Sequence, residues 1–290
     1  MKSTTKTPKK PLAADQKIGE ILLKAGKIKA TDVDNIIDYQ QINNLTFGQA
    51  AIEMGLLDSE DIDSAIARQF DYAIIEKKSN SSYSEELCVA LQPQGVQAES
   101  FRALRSQLML NSLEKGRRAL TIVAPTTECG CTYIAANLAL SLAQLNLKTC
   151  LIDANLRTPR IANMFGISPQ HSGLSGILRG TKDYDDVIIR DVFPNLALLV
   201  AGNTPPNPQE LLAKNELIWT LSHLLREFDV VLFDTPPMNR FADARTVSAR
   251  VGSAVLVVRQ HHTLASDTET AVSELTQSGS EVVGSVLNKF

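Results

Sequence analysis

The stretch "TIVAPTTECGCTYIAANLALSLAQ", Thr121 to Gln144, joins a β-branched run to a helical one through the loop "APTTECGCT" (124–132). A buried strand, a tight loop and a helix start form the arrangement in which backbone N–H groups cradle a phosphate. The helical half is read from Ile134, Leu138, Leu142 and Leu145, which recur at spacings of three and four. The loop nevertheless holds one glycine, Gly130, and no lysine. Its surroundings decide whether it belongs to a nucleotide-binding fold.

Outward from this stretch the chain alternates strand and helix. "ALTIVA" (119–124), "KTCLIDA" (148–154), "FDVVLFDTPP" (228–237), "AVLVV" (254–258) and "VVGSVLN" (282–288) predict five core strands, with "LALLVA" (196–201) as a sixth. The fold class expected is α/β, a P-loop NTPase-like parallel sheet sandwiched by helices. In such sheets ligands sit beyond the carboxyl ends of the strands, where Asp153 and Asp234 fall. Thr132, with Gly130 close before it, stands in the hydroxyl position of a phosphate loop. One strand-end aspartate is more often a turn former. Two of them beside this junction suit a magnesium-nucleotide site, with Thr132, Asp153 and Asp234 on the metal side and Gly130, Cys131 and Thr132 on the nucleotide side.

Composition excludes little else. Of 290 residues, 44% are hydrophobic and 21% charged, and the net charge of −3 gives no reason to propose nucleic acid as a partner. The start "MKSTTKTPKK" is basic with no apolar run behind it, so residues 1–14 read as a disordered basic tail rather than a secretory signal. No window approaches the roughly 18–20 apolar residues of a membrane span. A cytoplasmic location is expected, with Cys88, Cys129, Cys131 and Cys150 reduced.

The front of the chain repeats itself. "KIGEILLKAGKIKATDVDNIIDYQ" (17–40) lies over "TFGQAAIEMGLLDSEDIDSAIARQ" (46–69), pairing Gly19 with Gly48, Gly26 with Gly55, Asp32 with Asp61 and Gln40 with Gln69. Each unit predicts a helix ended by glycine, a turn, and a second amphipathic helix, with Gly26 as a C-cap and Thr31 or Asp32 as an N-cap. A docking bundle explains this pattern. Two units of this form with a five-residue spacer (41–45) also resemble the MshEN domain, a small all-α module that binds cyclic di-GMP. That resemblance places Lys17, Gly19, Gln40, Gly48 and Gln69 at the second-messenger site. Where the family has arginine, this chain has Lys17 and Thr46, which cannot stack on a base and grip phosphate with a fork. The domain is expected over 15–76. The serine-rich start of 77–98 reads as a linker containing a short helix.

The remainder, 99–290, resembles the bacterial tyrosine kinases that control exopolysaccharide chain length and export. The residues that carry the resemblance are "LIDANLRTPR" (151–160), "AGNTPPNPQELL" (201–212), "FDTPP" (233–237) and "ADARTVSARVGSAVLVVR" (242–259). "ESFRALR" (99–105) fits the family's E-x-x-R-x-x-R pattern. The resemblance implies that Glu99, Arg102 and Arg105 link subunits into a homo-oligomeric ring, although an ordinary helical ion pair has the same spacing. Joined to an MshEN-like front, the chain is similar to the EpsG-type chain-length-determinant kinases. The resemblance implies ATP or ADP with magnesium as cofactor. It also implies, as partner, the cytoplasmic part of a membrane polysaccharide co-polymerase, through which the protein would sit peripherally at the inner membrane.

The loop departs from the family form S-x-x-x-G-E-G-K-[ST]. Ala124 replaces the serine, Glu128 the first glycine, Cys129 the glutamate and Cys131 the lysine, while Asn155 replaces a second aspartate. A lost charge-assisted hydrogen bond is worth roughly 1.5–3 kcal/mol, and its loss costs more in a transition state stabilised by electrostatics. A catalytically degenerate kinase is therefore expected, with Asp153 and Asp234 as the catalytic residues if activity persists. The alternative is an active autokinase in which another cation, such as Arg157 or Arg160, replaces the lysine. A partition-type ATPase would need a lysine where Thr126 stands. Three thiols near the loop could instead bind a metal or sense oxidation, but the C-x-C spacing and the lack of a nearby histidine ligand count against this. The stretch ending "SVLNKF" has no tyrosine cluster, which leaves Tyr83 or Tyr133 as possible acceptors.

Overall fold

Runs that are apolar along their whole length form strands covered on both faces. Ala119–Val123 (β1), Thr149–Asp153 (β2), Leu196–Leu199 (β4) and Val230–Asp234 (β5) are all buried at every position. In the computed structural model, which describes residues 13–69 and 83–289, these join Ile189–Phe193 (β3), Ser253–Arg259 (β6) and Glu281–Asn288 (β7) in one sheet of order β3-β4-β2-β5-β1-β6-β7. Every pairing is parallel except β3 with β4, whose antiparallel register slips between Ile189 and Phe193. β3 was not expected from the sequence. Its centre carries exposed Arg190 and Asp191, and Asp191 adopts φ 55°, so neither alternation nor an apolar run announces it.

The chain separates into two compact units, Met1–Glu76 and Lys77–Phe290. In the first, the helices are Ala13–Lys24 (α1), Ala30–Asn43 (α2), Phe47–Glu53 (α3) and Ser59–Gln69 (α4). α1 packs on α4 and α2 on α3. The repeat maps α1 onto α3 and α2 onto α4, so these pairings exchange into each other, as a local pseudo-twofold requires. Leu22, Ile36, Phe47, Ala50, Ala51 and Ala65 fill the shared core. Both first helices end alike. Gly26 (φ 70°) and Gly55 (φ 67°) turn left-handed, and Lys27 N–H reaches Leu22 O (3.0 Å) as Leu56 N–H reaches Ala51 O (3.1 Å). The cap of α2 differs from expectation: Lys29 is the N-cap, and Asp32 sits three residues on, accepting from Lys29 N–H at 2.8 Å. The basic tail expected over 1–14 lies, but for its last two residues, outside the described residues.

In the second unit, Cys131–Ala143 (α7) is the central helix, buried everywhere except at Cys131 and Tyr133. It packs on β1, β2 and β5, and also on Cys88–Leu91 (α5) and Val96–Asn111 (α6). The linker expected over 77–98 is corrected from residue 84 onward. Leu87, Cys88, Val89 and Ala90 are buried, and Asn137 of α7 accepts from Val89 N–H (3.1 Å) and donates to Glu86 O (2.8 Å). A buried amide that satisfies two backbone groups fastens this segment to the sheet domain. Residues 70–82 lie outside the described residues. Among the described residues no helix is long and apolar enough to cross a membrane.

Candidate nucleotide site

The loop between β1 and α7 passes twice through left-handed backbone. Glu128 has φ 60° and Gly130 φ 87°. The left-handed turn at 128 is why a glycine suits that position; glutamate holds it at a cost of about 1–2 kcal/mol. The carboxylate of Glu128 is three-quarters exposed (76%) and lies 3.8 Å from Arg259. It therefore points into solvent rather than onto the loop's N–H groups, and a cation faces it. The loop's carbonyls are also tied down: Asn288 Nδ2 donates to Cys129 O (3.0 Å), Met238 N–H to Ala124 O (2.9 Å) and Asn239 N–H to Pro125 O (3.0 Å).

Cys131 opens α7 where the lysine would stand. Burial, with the Asp234 and Cys129 charges, pushes its thiol well above the ordinary range, so the position is neutral. Cys129 is buried and turned toward the hydroxyls of Thr126 (3.3 Å) and Thr263 (3.4 Å). Cys150 sits in the apolar core with Ile152 and Val231. Among the described residues no group of three His, Cys, Asp or Glu side chains is arranged to hold a metal, so the thiols form no ligand set.

Two acids lie at the strand ends beside this junction. Asp153 and Asp234 end adjacent strands in direct register. Both are fully buried. Asp153 accepts from the N–H groups of Asn155 (3.2 Å), Arg160 (3.1 Å) and Ile161 (3.0 Å), yet burial still lifts its carboxyl to about 7. Burial, then the neighbouring Asp153 charge, raises Asp234 well above the usual range, while the Thr132 hydroxyl beside it works the other way. Among the described residues neither oxygen of Asp234 accepts a hydrogen bond. Two buried acids side by side, one with unsatisfied oxygens and a threonine hydroxyl against it, fit a hydrated Mg²⁺, which takes few protein carboxylates and keeps its waters. Asn155, in place of a second aspartate, is spent on a local turn, accepting from Thr158 N–H at 3.1 Å.

Neither proposed substitute cation is unpaired. Arg157 makes a bidentate pair with fully buried Asp243 (2.8 and 3.0 Å) and stacks on Phe241 at 4.0 Å. Asp243 lies within the 242–259 motif, and its partner, 86 residues away, leaves no local sequence signal of its role. Arg160 donates through Nη2 to both oxygens of Glu86 (2.8 and 3.1 Å). A cleft of about 990 Å³ opens against the loop, walled by Gly130, Tyr133, Phe101 and Asn288, with Arg160 and Arg259 at its edge. The specific run after β4 packs closely rather than lining this cleft: Gly202 (φ 75°) abuts Gly173, and Pro208 starts a short helix burying Leu211 and Leu212.

The remaining sequence expectations separate. Glu99 and Arg102 form an i,i+3 pair at 2.7 Å, and Arg102 also reaches Pro93 O. Arg105, expected to link subunits, turns inward instead: it is 8% exposed and donates to Ser141 O at 2.7 Å, joining α6 to α7. In the front unit, a Cβ on Gly48 would meet Ile62 at 2.9 Å, and one on Gly19 would meet Val33 and Phe47 at 3.4 and 3.5 Å. Close helix packing therefore accounts for Gly48, whereas the contacts at Gly19 are ordinary van der Waals distances. Thr46 is consumed as the N-cap of α3, accepting from Gln49 N–H at 3.3 Å. Gln40 is half-buried on α2. Lys17 and Gln69 fall in α1 and α4, but their side chains lie outside those described.

No protein-family model matches the chain. It is 35% identical over 215 residues to the putative tyrosine-protein kinase CapB of Staphylococcus aureus, covering 74% of this chain and 92% of CapB. Against the tyrosine-protein kinase etk of Escherichia coli K12 the identity is 34% over 190 residues, which span 66% of this chain and 26% of etk. The etk kinase domain superposes with TM-score 0.68 at 28% identity, covering 77% of this chain and 92% of that domain. The MinD protein of Pyrococcus horikoshii, complexed with Mg-ADP, shares the fold at 22% identity and TM-score 0.52, over 59% of this chain and 70% of that one. With its strand–loop–helix junction, its paired strand-end aspartates and its likeness to CapB over nearly all of CapB's length, the chain belongs to the bacterial tyrosine-protein kinases.

Proposed function

We propose that the protein is a degenerate member of its family. It would hold a magnesium nucleotide on the retained scaffold, carry out little phosphoryl transfer, and serve as a regulator of exopolysaccharide synthesis or export. The observation that carries this reading is the split within one site: the buried Asp153–Asp234 pair and Thr132 persist, while a neutral Cys131 stands where the loop charge belongs. Gly130, Cys131 and Thr132 would present backbone N–H groups to the phosphates, and Thr132, Asp153 and Asp234 would hold Mg²⁺ or its water shell. Bound Mg-ATP would supply the transferable phosphoryl group and part of its charge neutralisation. The chain's own residues orient that group, but without a loop cation they leave the charge developing in transfer largely unopposed.

The partner on this reading is the cytoplasmic part of a membrane co-polymerase, with Glu99 and Arg102 available for a ring of subunits. The MshEN-like domain over 15–76 would add a cyclic di-GMP input, with Lys17, Gly19, Gln40, Gly48 and Gln69 at its site. The repeat and its pseudo-twofold support the domain; the packing role of Gly48 and the capping role of Thr46 weaken the ligand. Calorimetric titration of the full chain with Mg-ADP tests the nucleotide half of the proposal. Saturable binding lost in Asp234→Ala supports it, and a flat titration into the millimolar range removes it.

A further inference from the structure

Arg160 is the cation whose placement suits a nucleotide phosphate. Its backbone N–H donates to Asp153 at 3.1 Å, which anchors it at the metal-side carboxylate. Its side chain lines the same cleft as Gly130 and Tyr133, and its charge is felt at Asp234. Arg157, three residues earlier, is instead locked on Asp243 in a pair with one partner fully buried. Of the Arg160 guanidinium, only Nη2 is used, against Glu86; among the described residues Nε and Nη1 donate to nothing. The pair is about half exposed on both sides (55% and 43%). An exposed ion pair contributes little, whereas a charge-assisted bond to phosphate contributes more, so a bound nucleotide can recruit the fork.

Resting on the nucleotide-binding reading above, we propose that Arg160 gives the bound nucleotide a phosphate contact from the β2 side, which aids binding without replacing the loop cation in transfer, and that Glu86 holds it aside until nucleotide arrives. The guanidinium then faces the phosphate oxygens from the β2 side of the cleft rather than from the loop. Glu86 also lies on the segment fastened to α7 through Asn137, so any displacement of that segment alters the hold on Arg160.

The test is titration of the full chain with Mg-ADP and Mg-AMP at fixed ionic strength, comparing wild type with Arg160→Ala, Arg160→Lys and Glu86→Gln. Arg160→Ala should weaken Mg-ADP about ten-fold or more and shrink the preference for ADP over AMP. Arg160→Lys should recover part of the loss, because it keeps the charge without the fork. Glu86→Gln should tighten Mg-ADP a few-fold. If wild type binds Mg-ADP and Arg160→Ala matches it within two-fold, the assignment is wrong and the nucleotide-binding reading stands. Weakening by Glu86→Gln comparable to that by Arg160→Ala would make the pair a structural strut, which also overturns it. No binding by the wild type overturns both.

Discussion

Restoring the loop's charge is the perturbation with the most direct consequence: Cys131→Lys combined with Glu128→Gly. Cys131 is the first residue of α7, so a lysine there sits at the positive end of a helix where phosphates would bind. Its thiol is uncharged, held so by burial and by Asp234. The new ammonium adds one charge-assisted hydrogen bond, roughly 1.5–3 kcal/mol, or about 10- to 150-fold in Mg-ADP affinity. It also stands in range of Asp234 and draws the acid pair toward its charged form. Glu128→Gly relieves a left-handed residue at φ 60° but frees the unfolded chain, so the melting temperature should move little. The gain in binding is then not a by-product of stability. Mg-ADP calorimetry and incorporation of labelled phosphate from ATP read the two effects, the second larger because transfer depends on electrostatic positioning. A double variant that melts like wild type yet binds and transfers no better would refute the claim that the missing lysine limits this site.

Three further outcomes follow from the geometry. Asp153 titrates near 7 when folded against an ordinary 3.8, so the folded state holds a proton that the unfolded chain releases in between. Its contribution is therefore most favourable below about pH 4 and is lost as pH rises through 7, on the order of 4 kcal/mol at most. Denaturant midpoints at pH 5 and pH 8 should lie closer together in Asp153→Asn than in wild type; equal spacing contradicts the burial argument. Gly48→Ala should destabilise the front unit by about 1–3 kcal/mol through the clash with Ile62, whereas Gly19→Ala, which meets only ordinary contacts inside a helix, should be neutral or stabilise by up to about 1 kcal/mol, read by thermal unfolding. Arg105→Ala should lower stability by roughly 1.5–3 kcal/mol without changing the mass seen by light scattering, whereas Arg102→Ala should lower that mass if a ring forms.

What the sequence disclosed depended on burial. β1, β2, β4 and β5 are buried end to end and mostly apolar because helices cover both faces, which makes them legible directly. β3 was hidden because a bulged edge strand with Arg190 and Asp191 outward needs no apolar pattern. The segment from Ser84 to Leu91 looked like a linker, since the amide that fastens it, Asn137, lies on another element. Asp153, Asp234 and Thr132 were legible from strand ends and loop spacing; the Arg157–Asp243 pair was not, because nothing local joins them. Arg105 occupies a motif position that the resemblance gives to a neighbouring subunit, and within its own chain its guanidinium donates to Ser141 O.

On the function proposed above, the scaffold keeps its nucleotide and has largely lost transfer. The most direct measurement is incubation of the purified full chain with magnesium and γ-labelled ATP under saturating conditions, followed by separation of protein, nucleotide and free phosphate. The account predicts label remaining in ATP, with protein and free phosphate at the level of Asp153→Ala. Label accumulating on protein tyrosine, and abolished by Asp153→Ala, would contradict it.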